Sequence, residues 1–96
     1  MKPSVALEQY REDIRQIVAR YNTYNARVFE SVLTGHDTDT SDLDFLVDTT
    51  SDTTLMDIGA IRFELKTLLG VKVDVLTPNG LPTTFRDRVL KEALPV

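Results

Sequence analysis

Apolar residues recur along this chain in two rhythms. Leu7, Tyr10, Ile14, Ile17, Val18 and Tyr21 follow one another at helical spacing, which predicts one amphipathic helix from an N-cap at Ser4 to about Tyr24. Its opposite face carries Glu8, Glu12, Arg15 and Gln16. Tyr21 and Tyr24 are expected to cover the edge of the core with their hydroxyls in water. Residues 26–29 then read as a short strand, and residues 34–41, rich in Thr, Asp and Gly, read as a loop. The run 43–47 predicts a second strand, apolar at nearly every position and so covered on both faces. After a polar turn at 49–54, Leu55, Ile58, Ile61, Leu65, Leu68 and Leu69 form a second helical stripe, closed by Gly70 as a left-handed cap. Residues 71–76 alternate as a third strand and end at the Pro78-Asn79-Gly80 turn. A last helix from near Pro82 buries Phe85, Val89 and Ala93. The order α-β-β-α-β-α predicts an α+β fold, a small mixed sheet with flanking helices, in a single domain over residues 1–96.

Composition narrows the picture. A net charge of −4 argues against a general nucleic-acid binder, which wants a basic face, but leaves a nucleotide substrate open. With no cysteine, disulfides and thiolate metal sites are excluded. No apolar run approaches the roughly 18–20 residues that span a bilayer, and the N-terminus lacks the features of a secretory signal. The expected location is the cytoplasm.

The chemistry gathers between Val28 and Asp48. Alternation along a strand sends Asp42 and Asp44 to one side, about 6.5–7 Å apart. Asp74 sits between valines in the third strand and faces the same side if that strand lies beside the second. Three carboxylates placed so can bind two Mg²⁺ ions, which neutralise and orient phosphates during nucleotidyl transfer. The purely structural alternative has Asp42 capping a turn, Asp44 paired with an arginine and Asp74 on an edge. Upstream, Ser31 stands at a strand-to-turn junction suited to binding an anion, and Gly35 lets the following loop turn sharply. His36 beside it reads as a solvated loop histidine. Arg62 and Lys66 share a helix face and, with Arg86, Arg88 and Lys91, read as solvated surface.

Ser31, ten residues, then Asp42-x-Asp44 within strand–turn–strand resembles the motif of the minimal nucleotidyltransferases, the MNT members of the DNA polymerase β-like superfamily. The likeness extends through Ser-Asp-Leu-Asp-Phe-Leu-Val, the long helix to Leu69-Gly70 and Val-Lys-Val-Asp-Val. It implies a nucleotidyltransferase fold with Asp42, Asp44 and Asp74 as metal carboxylates, Ser31 as the phosphate-binding serine and ATP as substrate. It also implies an MntA-like antitoxin that transfers AMP to a HEPN-domain RNase toxin of the HepT type. Two features depart from the motif. Glu30 stands where the family has glycine, and Val32 and Thr34 occupy positions that commonly hold an arginine. A charge about 5 Å from a phosphate costs roughly 3 kcal/mol at an effective dielectric near 20. Two functions follow: a Mg²⁺-dependent protein adenylyltransferase weakened by Glu30, or an antitoxin that neutralises its toxin by direct binding with a weak or dead nucleotide site.

Overall fold

The structure, a computed structural model, describes residues 2–29 and 42–96. Its four strands are β1 (Thr23–Phe29), β2 (Leu43–Thr49), β3 (Val73–Leu76) and β4 (Leu94–Pro95), side by side in the order β3-β2-β1-β4. β2 runs parallel to β3 and antiparallel to β1, which is itself antiparallel to β4. The sheet is therefore mixed, as the order of elements predicts. Helices α1 (Pro3–Gln9), α2 (Arg11–Arg20) and α3 (Leu55–Leu69) lie over one face, and α4 (Arg86–Glu92) with the 3₁₀ turn Pro78–Gly80 serves the other.

The alternation of β2 divides the core. Leu43, Phe45 and Val47 point into the larger cluster, beneath Ile14, Ile17, Ile61 and Leu65. Leu46 points the other way and joins Phe29, Leu81 and Val89 in a smaller cluster. Both faces of the strand are covered at Leu46, as its nearly continuous apolar run implied. Truncating Ile61 or Leu65 to alanine would cost about 2–5 kcal/mol, the usual range for a fully buried aliphatic chain.

Five details differ from the sequence reading. The first helix is broken at Tyr10, whose φ of −114° and ψ of 21° leave the helical region. The break lets Ala6 and Leu7 on one segment and Ile14, Ile17 and Val18 on the next all reach the core. Its N-cap is Lys2 rather than Ser4, because Pro3 fixes φ for the first helical position and has no N–H to satisfy. Tyr21 packs against the core, but its hydroxyl donates to Glu64 instead of standing in water. β1 starts at Thr23, three residues earlier than expected. Asn25 takes a φ of 55° where the register with β2 shifts, so the strand absorbs a bulge. The last helix starts at Arg86, after a turn closed by Phe85 N–H donating to Pro82 O, and the short β4 follows it.

α3 is held at both ends. Gly70 closes it at φ 67°, the left-handed cap its sequence position required. At the start, Thr54 Oγ1 accepts from Asp57 N–H at 3.2 Å while Asp57 Oδ2 accepts from Thr54 N–H at 2.9 Å. The Thr54 amide and the Asn22 side chain hold the Asp57 carboxyl below the usual carboxylate range. A depressed carboxyl stabilises the fold above its unfolded pKa, and that contribution fades as pH falls through the folded value. Thr54→Ala should lower unfolding free energy by roughly 0.5–2 kcal/mol in urea titrations. The gap between the native chain and Asp57→Asn should be full near pH 7 and shrink as the pH drops below the ordinary carboxylate range.

Candidate active site

The acids of β2 occupy the face that Leu46 shares. Asp44 and Asp48 have its parity, and Asp42 precedes them by the same two-residue step. In the parallel ladder Asp44 is the register partner of Asp74, and Leu46 that of Leu76. Asp44 and Asp74 therefore lie on neighbouring strands, one directly beside the other, about 4.8 Å apart in the hydrogen-bonding direction. On the other side of β2, Phe29 is opposite Asp44. The row reads Asp74, Asp44, Phe29, and the next row, Leu76, Leu46, Arg27, leads into the smaller apolar cluster.

Asp42 Oδ2 lies 3.7 Å from Lys72 Nζ, and both side chains are substantially exposed. Asp44 is engaged as well. With the side chains arranged so, no three His, Cys, Asp or Glu among the described residues form a cluster that could hold a metal ion. The donor chemistry nonetheless suits a hard cation: three carboxylates, no sulfur, on rigid strands of matched register. Ser31, Glu30 and Gly35, the other expected site residues, and His36 beside them lie outside the described residues.

Lys72 is a residue the sequence reading passed over. It has the parity of Asp74 in Val71-Lys72-Val73-Asp74, so alternation alone was enough to put a cation beside the acids. Arg62 was read as solvated surface. Its Nε donates to Val73 O at 3.3 Å, tying α3 to the residue before Asp74. A cavity of about 490 Å³ lined by Arg62, Lys66, Gly70 and residues 71–73 runs beside this contact.

Asp48 separates structure from chemistry on the same strand face. Its carboxylate accepts from Arg27 and, at 2.8 Å, from Asn25 Nδ2 at the bulge. Arg27 and Asp48 are largely shielded from water, so the pair is a structural tie between β1 and β2. Asp48→Asn should cost about 1.5–3 kcal/mol of stability, the range for a hydrogen bond to a charged group. It should leave nucleotide binding, measured by calorimetry, unchanged.

Comparison with known proteins identifies the family and the fold. The nucleotidyltransferase-domain family matches residues 7–96. A Methanocaldococcus jannaschii protein named "Putative protein adenylyltransferase MJ0435" is 32% identical over 90 residues, 94% of this chain and 97% of that protein. A second from the same organism, of the same name but numbered MJ0126, is 26% identical over 87 residues, covering 91% of this chain and 89% of its own length. Among solved structures, one described as a "putative minimal nucleotidyltransferase" superposes with a TM-score of 0.87 at 38% identity, over 100% of this chain and 97% of the other. A toxin–antitoxin crystallised with AMP-PNP has the same fold, with a TM-score of 0.74 at 16% identity, over 88% of this chain and 69% of its own. The chain belongs to the nucleotidyltransferase-domain family, in its minimal form.

Proposed function

We propose that the chain is an antitoxin that transfers AMP from ATP to a hydroxyl of a HEPN-domain RNase toxin. The observation that carries this reading is the register of Asp44 against Asp74, with Asp42 two residues before Asp44 at the entrance to β2. The names of the Methanocaldococcus jannaschii relatives support a protein as acceptor. The AMP-PNP in the toxin–antitoxin neighbour supports an adenine nucleotide as donor and a toxin as partner. Among the described residues no helix is long and apolar enough to cross a membrane, in keeping with work in the cytoplasm.

Asp42, Asp44 and Asp74 are the residues that would hold Mg²⁺, two ions by family precedent. Bound there, the ions supply charge neutralisation for the triphosphate and a lowered pKa for the attacking hydroxyl. To serve as a ligand, the Asp42 carboxylate would exchange its contact with Lys72 for the cation. Ser31 offers its hydroxyl and backbone amide to the phosphates, with Gly35 allowing the chain to turn close to them. The acceptor oxygen forms a bond to the α-phosphorus as the bond to pyrophosphate breaks, and the acceptor proton passes to the Asp74 carboxylate. Negative charge grows on the leaving pyrophosphate, which Glu30 opposes.

The test is transfer of labelled AMP from ATP to a purified HEPN-domain protein, run with the native chain and its variants. Asp42→Asn combined with Asp44→Asn should abolish transfer, as should chelation of the cation. Glu30→Gly should speed it by roughly five- to 150-fold, the effect of removing about 1–3 kcal/mol of repulsion. Transfer that survives the double substitution would overturn the assignment of Asp42 and Asp44, and a native chain that transfers no AMP would end the enzyme reading. Glu30 itself favours a second reading, neutralisation by contact alone. In that case the doubly substituted chain still silences the RNase.

A further inference from the structure

α3 carries apolar side chains on both of its sides. Ile61 and Leu65 are buried in the core, yet Leu55, Met56 and Phe63 remain 90%, 84% and 70% exposed. At 3.6 residues per turn Met56 and Phe63 lie within about 20° of each other, nearly opposite Ile61 and Leu65, and about 10 Å apart along the axis. A helix apolar all round is ordinarily covered all round.

Gly59 lies between them. Glycine weakens a helix interior relative to alanine, and it persists where something must come close. Among the described residues nothing does so: a Cβ built on Gly59 meets no atom within 4 Å. Instead, Gly59 forms the floor of a dent of about 260 Å³ walled by Arg62, Phe63 and Lys66. The missing side chain makes room for one from another molecule.

The rim of this face is positive. Among the described residues neither Arg62 nor Lys66 pairs with a carboxylate. The acids of the helix are turned elsewhere, Glu64 to Arg20 and Tyr21, and Asp57 to Thr54 and Asn22. In a chain of net charge −4 this local excess of cations selects an acidic complement. A second copy offers none, because a two-fold contact would set the same cationic face against itself.

We propose that the outer face of α3, with Met56 and Phe63 around the dent at Gly59, docks an apolar helix face of the protein partner that is rimmed by acidic side chains. Phe63 is the aromatic anchor. Arg62 links the surface to Val73, next to Asp74, so a partner seated here lies beside the strand that carries the chemistry. The inference rests on the reading that the chain acts on a protein partner.

The experiment titrates the chain with a purified HEPN-domain protein, with melting temperature and ATP affinity measured in parallel. Met56→Ser with Phe63→Ser, and separately Lys66→Glu, should each weaken the complex at least tenfold while both control readings hold. Gly59→Ala should raise the melting temperature and leave binding within threefold, whereas Gly59→Leu should weaken binding tenfold. Binding by the Met56/Phe63 variant within twofold of the native chain would overturn the docking surface and leave the partner reading standing. A native chain that forms no complex overturns both. A native homodimer that Phe63→Ser dissolves assigns the face to self-association and overturns the proposal.

Discussion

The parallel pairing of β2 with β3 sets one aspartate directly beside another, and much of the architecture follows from holding them there. Like charges side by side on adjacent strands oppose pairing by a fraction of a kcal/mol to about 1 kcal/mol. The sheet offsets that cost on its other side, where Leu43, Phe45, Val47, Val73 and Val75 are buried under α2 and α3. Each strand thus has a side that secures it in the larger cluster and, on the reverse, an acid whose cross-strand neighbour is another acid. Local choices that oppose stability but are held by a strong surrounding structure are characteristic of functional sites. Lys72 eases the repulsion at one end of the row by lying near Asp42.

The same alternation explains why so much was readable beforehand. The parity of Asp42, Asp44 and Asp74, the span of α3 and its cap at Gly70 all follow from two periodicities and one glycine. The break at Tyr10 did not show, because the apolar stripe runs through it from Leu7 to Ile14 and neither glycine nor proline marks it. β4 has two residues and exists only because β1 offers it an edge, with Arg27 and Val28 opposite Pro95 and Leu94. The bulge at Asn25 is a tertiary fact, fixed by Arg27 and Asn25 both reaching Asp48. Such features depend on contacts between segments far apart in the chain, and local pattern does not contain them. Lys72 is the opposite case: its parity was in view, and attention to the acids alone left it out.

The acids of β2 also show that residue type does not assign role. Asp44 and Asp48 share a strand, a face and a chemical group. Asp48 has Arg27 and Asn25 as partners and little contact with water, so its charge is spent on joining β1 to β2 across the bulge. Asp44 has another aspartate at its side. The difference lies in the neighbouring strand, since β1 brings a cation to one and β3 brings an anion to the other.

α3 joins these elements mechanically. Its inner side packs Ile61 and Leu65 onto the strands that carry the acids, and its Arg62 hydrogen-bonds to the backbone immediately before Asp74. Caps at both ends and a buried stripe make it one of the better-held elements of the chain. A molecule gripped by its outer face would therefore be positioned relative to Asp74 by packed helix and sheet, with no loop between. Transfer between two bound groups depends on their alignment to within a fraction of an ångström, which rigid elements deliver better than loops do.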